Sequence, residues 1–202
     1  MYSTIVSGAV YGINSYLVSV EVDIANGLPG IDMVGSLSSE VKEAKERVRV
    51  ALNNSGFALP ASHITINLSP ANVRKDGSAF DLPIAVGILK SMEKIKICEA
   101  MKNALFIGEL GLGGDVRFSK GILPVILEAK RKGILHCFVP YANRQEAQVV
   151  DEVIIHGVHH GDPRRLPEWG GERVHRHRRK DHPARRIREH DADSIHRTVF
   201  LR

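Results

Sequence analysis

Apolar and polar residues alternate well enough for strands in two stretches near the N-terminus, Thr4–Ile13 and Tyr16–Ile24. In the second, Leu17, Val18, Val20, Val22 and Ile24 gather most of the apolar groups on one face, the period of a half-buried strand. Gly12-Ile13-Asn14-Ser15 supplies turn residues between the two. Asn26-Gly27-Leu28-Pro29-Gly30 breaks the second strand and Ile31–Val34 resumes an extended pattern. Strands succeeding one another in this way predict a meander at the start of the fold.

The period then changes. Val41, Ala44, Val48, Ala51 and Leu52 lie at helical spacing, which predicts a helix over about 39–55. Ser38 or Ser39 provides its N-cap, Glu40 and Glu43 suit its first turn, and Gly56 its C-terminal end. Glu43 and Arg47 form an i,i+4 pair on a face expected to be solvated. Alternation returns at His63–Leu68, with Ile64, Ile66 and Leu68 inward and His63 expected at an edge or surface position. Leu82, Ile84, Ala85, Val86, Ile88 and Leu89 are apolar nearly all round, the mark of a helix buried between layers. Asp81 is placed to cap it, with Pro83 in its first turn.

After a more polar connection over Lys90–Lys102, Ala104–Leu110 and Asp115–Phe118 predict a hairpin turning at Gly113-Gly114. The glycine string is no phosphate loop, because no Lys-Ser or Lys-Thr follows it and a strand continues from it. A helix starting at Ser119 or Lys120, with Pro124 in its first turn and Gly133 at its end, leads to a short strand at His136–Pro140. Asn143 and Glu146 have capping-box spacing for a brief helix, and Val153–Ile155 forms a last strand. A β-rich opening followed by mixed helices and strands is an α+β fold.

One stretch joins a strand, a polar loop and a buried helix at a single corner: Asn67–Leu89, with Arg74-Lys75-Asp76-Gly77-Ser78 as its loop. Backbone amides beside a helix N-terminus stabilise negative charge. Arg74, Lys75, Asp76 and Ser78 are therefore the candidate loop contacts, with a structural turn favoured over phosphate or DNA contact.

Charge divides the chain sharply. Residues 161–202 hold 12 Lys and Arg against 7 Asp and Glu, the whole +5 excess, whereas residues 1–160 balance at 16 of each. The same segment holds 5 of the 10 histidines and no sustained apolar period, so it cannot bury enough surface to offset its ordering entropy. A boundary follows, with a folded domain over 1–158 and a disordered basic tail over 159–202. If any part of the tail contacts nucleic acid, Arg176, Arg178, Arg179, Lys180, Arg185 and Arg186 are the candidates. Trp169 and Phe200 stand alone and give no platform for stacking bases. His175-Arg176-His177 is a poor cation tract, since its arginine repels a cation. Cys98 and Cys137 have no metal-type spacing and sit in apolar runs as free thiols. No apolar run reaches the ~18 residues of a membrane span. The start MYSTIVSGAV lacks a secretory signal, so a cytoplasmic location is expected.

Residues 1–158 resemble the N-terminal domain of the ComM/YifB family, the magnesium-chelatase-like AAA+ proteins. The resemblance is carried by VSGAVYGINSYLVSVEVDIANGLPGIDMVG, EVKEAKERVRVALNNSGF, INLSPANVRKDGSAFDLPIAVGIL and FIGELGLGGDVRFSKGILP. It implies a ribosomal S5 domain 2-like fold, shared with the proteolytic domain of Lon. Lon-type cleavage uses a Ser/Lys dyad, the serine in a KDGPSAG loop. Laid on that pattern, Lys75-Asp76-Gly77 puts Ala79 at the nucleophile position, and Gly108-Glu109-Leu110 puts Leu123 at the lysine position. Ser78 and Lys120 lie one and three residues away. The dyad positions are therefore empty of chemistry, and only a shifted Ser78/Lys120 pair would leave a residual peptidase.

In the family, the Lon-like domain precedes an ATPase module that acts on DNA. This sequence contains no GxxxxGK[ST], so the resemblance implies ATP and Mg2+ only for such a module, and no cofactor for this chain. The expected partners are that AAA+ module or further copies of the chain, with DNA as an additional partner and no membrane. Resemblance ends at about His159–His160, where the composition breaks. That coincidence leads to the expectation of a truncation or reading-frame change.

Overall fold

Val18, Val20, Val22 and Ile24 do share one face, and all four are buried. They belong to the second strand of a computed structural model that describes residues 1–97, 99 and 102–159. The chain runs β1 (Tyr2–Tyr11), β2 (Asn14–Ala25), β3 (Gly30–Val34), α1 (Ser39–Asn54), β4 (His63–Ser69) and α2 (Asp81–Ser91). It continues through β5 (Leu105–Phe106), β6 (Glu109–Leu110), β7 (Val116–Arg117), α3 (Ile122–Arg131) and β8 (His136–Pro140). A 3-10 turn (Tyr141–Asn143), α4 (Arg144–Ala147) and β9 (Ile154–Val158) complete it.

Seven strands form one mixed sheet in the order β3-β4-β2-β1-β5-β8-β9. β1 and β2 are antiparallel and close on Tyr11↔Asn14. The predicted meander stops there, because β4 inserts between β2 and β3. β4 runs antiparallel to β2 and parallel to β3. A parallel neighbour needs a crossover, and α1 supplies it. β4 buries Ile64, Ile66 and Leu68 in its interior position. His63 is accordingly not on an edge strand. It heads β4 half-buried, with Nε2 3.2 Å from Asp32 Oδ2.

One sheet face carries α1 and α2 over a core of Val20, Val22, Ile66, Val48, Ile84 and Ile88. α2 lies close on the strands: a Cβ at Gly87 would stand 2.8 Å from Val22 Cγ2. The other face carries α3 over Leu105, Cys137 and Val139. Ser38 caps α1 as expected, its Oγ accepting from Val41 N at 3.3 Å. Asp81, by contrast, does not cap α2; it is the first helical residue after Phe80, and its side chain turns inward to Arg47.

The expected strand Ala104–Leu110 is broken. Leu105–Phe106 stays in the main sheet, while Glu109–Leu110 leaves it to pair with Val116–Arg117. The break has a local cause: Gly108 N donates to Ala79 O and Gly108 O accepts from Leu82 N, both at 2.9 Å. The start of α2 thus captures this backbone. α3 begins at Ile122, later than Ser119 or Lys120, after Gly121 in the left-handed region at φ +76°. Asn143 does stand at the N-cap of α4, with Nδ2 donating to Glu146 Oε2 at 3.1 Å, but its side chain caps no backbone amide of that helix. It is buried, and its amide brackets Ser119: Oδ1 accepts from Ser119 N at 3.0 Å and Nδ2 donates to Ser119 O at 2.9 Å.

Cys137 is buried and free. Cys98, the expected tail disorder over 159–202 and the candidates Arg176, Arg178, Arg179, Lys180, Arg185 and Arg186 lie outside the described residues, except for His159. Among the described residues, no helix is long and apolar enough to cross a membrane.

Candidate functional site

The polar loop Arg74–Ser78 and the turn entering α3 meet at the N-terminal end of α2, as the strand–loop–helix pattern predicts. They enclose a cleft of about 420 Å³, lined by Gly8–Val10 of β1, Asp76–Phe80, Glu109 and Phe118–Gly121. Every wall of this cleft is fixed by contacts far apart in the sequence.

Lys75 anchors the loop from within. It is completely buried, its ammonium donates to the Pro70 carbonyl, and its backbone joins Ser36 O and Ser38 N at 2.9 and 3.0 Å. Burial pushes its pKa down. A side chain so placed cannot reach a phosphate, so Lys75 is a structural residue of the turn. Arg74 is exposed but its Nε lies 3.0 Å from Asp76 Oδ1. Its carbonyl accepts from the Tyr16 hydroxyl. Burial, with the charge of Asp76 second, raises the Tyr16 phenol. Of the four candidate contacts, Asp76 and Ser78 face the cleft.

Beneath the loop lies an ion pair that the sequence does not announce. Arg47 donates to Asp81 through Nε at 2.7 Å and Nη2 at 2.9 Å. Asp81 is wholly buried and also accepts from Leu110 N at 3.2 Å. Burial favours its neutral form and the guanidinium opposes this; the fork geometry keeps Asp81 the anionic partner. Glu43 is only a secondary partner of Arg47, at 3.7 Å. The bridge ties α1, α2 and β6 together directly under the cleft.

The Lon-like positions can now be placed. Ala79 and Leu123 are half-buried and pack against the apolar cluster of α3 and β8, Ala79 also lining the cleft. Ser78 and Lys120 do line the same cleft. The Ser78 hydroxyl, however, donates to the Glu109 carboxylate, and Lys120 is exposed, with no ion pair to a described residue. Ser119, between β7 and α3, accepts from Glu109 N at 3.2 Å and is held by Asn143. Glu109, Ser119 and Asn143 were not candidates from sequence; their spacing of 10 and 24 residues carries no periodic signal. Among the described residues, no group of three or more His, Cys, Asp or Glu side chains is arranged to hold a metal ion.

Residues 20–143 match the family model of subunit ChlI of Mg-chelatase. The chain is 41% identical over 152 residues to a protein of Mycobacterium tuberculosis, covering 75% of this chain and 30% of that one. It is 41% identical over 146 residues to competence protein ComM of Haemophilus influenzae, covering 72% and 28%. At a greater distance it is 30% identical over 159 residues to Lon protease 2 of Bacillus subtilis, covering 70% and 28%. The chain thus spans under a third of the length of these relatives. It belongs to the magnesium-chelatase-like family of ChlI, ComM and YifB, as the Lon-like N-terminal domain of that family.

Proposed function

We propose that residues 1–158 form a non-catalytic interaction and assembly domain of a ComM/YifB-type ATPase, acting in the cytoplasm in DNA processing linked to competence. The observation that carries this reading is the chemistry at the Lon-like corner. Ala79 and Leu123 occupy the dyad positions as packing residues, and the nearest hydroxyl, Ser78, is bonded to a carboxylate. The corner keeps its shape through Lys75 and the Arg47–Asp81 bridge, which supports a role for it as a fixed surface. The mixed sheet, with α1 and α2 on one face and α3 on the other, is compatible with a ribosomal S5 domain 2-like fold. The partner is an ATPase module, or copies of one, which would take ATP and Mg2+; this chain would hold neither.

Gel filtration of the chain with an intact ComM-type ATPase tests the assembly role. Co-elution is expected. A monomer that ignores the ATPase refutes it. Ser78→Ala tests the residual peptidase: cleavage of an unfolded protein by the wild type that is lost in the variant would restore enzymatic function.

A second reading has its own observation, the confinement of the whole +5 charge excess to residues 161–202. There the tail contacts nucleic acid non-specifically, with the log–log salt slope growing by about 0.9 per duplex phosphate contact. Deleting residues 161–202 should then flatten the slope. Unchanged DNA affinity removes this reading.

A further inference from the structure

Beyond Val6, β1 has no strand of the described residues on the side away from β2. The alternation of an antiparallel pair fixes which β1 groups face that side. Ile24 N donates to Met1 O at 2.9 Å, and the hairpin closes on Tyr11↔Asn14, so the odd-numbered residues of β1 exchange hydrogen bonds with β2. Even-numbered residues point their N–H and C=O the other way. Thr4 O agrees, accepting from Lys90 Nζ at 3.1 Å, as does Val6, which pairs with Leu105 of β5. That parallel pairing stops after Val6. Gly108 N, the next donor toward Gly8 O, is taken by Ala79 O. Gly8 O and both backbone groups of Val10 therefore face the cleft with no strand of the described residues beside them.

We propose that this gap receives an extended polypeptide segment, which adds a short strand to β1 and places a carboxylate side chain against Lys120. Strand addition supplies affinity through the main chain and leaves specificity to flanking side chains. Val10 and Phe118 are 37% and 55% exposed at its mouth and offer apolar contacts. Among the charged groups of the cleft, Asp76 is matched by Arg74 and Glu109 holds the Ser78 hydroxyl. Glu109 keeps its negative charge, and Lys120 is the lining cation without a described ion-pair partner, the group against which a carboxylate of the segment is set. A volume of about 420 Å³ lies within the usual range of small ligand sites, about 300–1,000 Å³. The inference rests on the non-catalytic reading above and names the kind of partner segment the corner takes.

The probe is N-acetyl-Ala-Val-Ala-Val-Glu-amide, added to the full-length 15N-labelled chain up to about 1 mM. The expected result is saturable shift changes confined to Gly8–Tyr11, Ser78 and Lys120, with slowed exchange of the Val10 amide. Val10→Pro removes that donor without touching the β2 pairing, a position where proline is tolerated, and should weaken binding at least about tenfold. Two further probes leave the protein unaltered, each N-methylated at alternate residues in opposite phase. One phase should abolish binding and the other spare it. Replacing the glutamate of the probe with lysine should also weaken binding about tenfold. No saturable shifts, or equal binding of all probes, overturns the inference. Concentration-dependent protection of Val10 without any probe overturns it too, since the occupant is then a second copy. Mass spectrometry of the recovered probe separates the two readings: a cleaved peptide refutes the non-catalytic domain while leaving the strand gap standing, and an intact but unbound peptide does the reverse.

Discussion

Replacing Arg47 with methionine keeps an apolar stem on the inner side of α1 and removes two donors from Asp81, at 2.7 and 2.9 Å. The carboxylate remains, 0% exposed, with Leu110 N at 3.2 Å as its recorded donor. Breaking a buried pair by removing one partner costs about 3–5 kcal/mol. The lower end applies here, for two reasons. Arg47 is 22% exposed, so solvent already screens part of the pair, and burial favours the protonated form of Asp81, which gives the orphaned group an escape. For a domain of this size a loss of about 3 kcal/mol corresponds to a drop in Tm of roughly 6–12 °C. The pH dependence has a defined sign. Burial already holds the folded pKa of Asp81 above its ordinary value with Arg47 present, and removing Arg47 raises it further. The deficit then grows as pH rises from the folded pKa of the wild type to that of the variant, and shrinks on acidification. Urea unfolding followed by circular dichroism at pH 7 and pH 5 measures both effects. The double variant Arg47→Met/Asp81→Leu should recover to within about 1 kcal/mol of wild type, because no buried charge is left. A single variant that loses less than about 1 kcal/mol, or a double variant as unstable as the single, refutes the bridge as the clamp beneath the cleft.

Lys75→Met fills the same buried space without a charge and should stay within about 1 kcal/mol of wild-type stability, the unpaired Pro70 carbonyl offsetting the relief. DNA affinity should not change; a loss would mean that Lys75 reaches phosphate after all. Gly8→Ala should cost about 1–3 kcal/mol, since its Cβ would stand 2.4 Å from Val125 Cγ1, and Val125→Ala in the same chain should restore most of that in urea titrations. Burial lowers the pKa of His136, whose Nδ1 lies 3.0 Å from His156 Nε2. Because the unfolded state then binds the proton more readily, stability should fall as pH drops below the ordinary value of 6.5. His136→Gln should flatten that slope; an unaltered slope excludes His136 as its source. Burial pushes the Cys137 thiol up to about 12, so alkylation at pH 8 should require unfolding, and labelling of the native protein would refute its burial.

Periodicity carried most of the elements. The alternation in β2 and β4 and the helical stripes of α1 and α2 are each visible because one face of each element meets a core, and the spacing of buried residues records that face. The order of strands left no such record. Ile31–Val34 has the same pattern whether it pairs with β2 or β4, and a partner is chosen only when α1 carries the chain back over the sheet. Ala104–Leu110 reads as one apolar strand because Gly108 adds nothing to the pattern; its hydrogen bonds to Ala79 and Leu82 divide it.

The site divides in the same way. Local sequence determined that a loop of polar residues would stand at the start of a buried helix. Position within the tertiary structure decided what each loop residue does. Arg74 and Lys75 are adjacent basic residues, yet one is exposed and the other wholly buried, because an extended chain paired with the β3–α1 connection sends successive side chains opposite ways. Asp81 has the composition of a helix cap and becomes a buried anion, since Arg47, 34 residues earlier, packs beneath it. The open edge of β1 is legible in no residue type at all. Backbone groups are identical along every chain, and whether they are paired depends only on what the fold brings alongside.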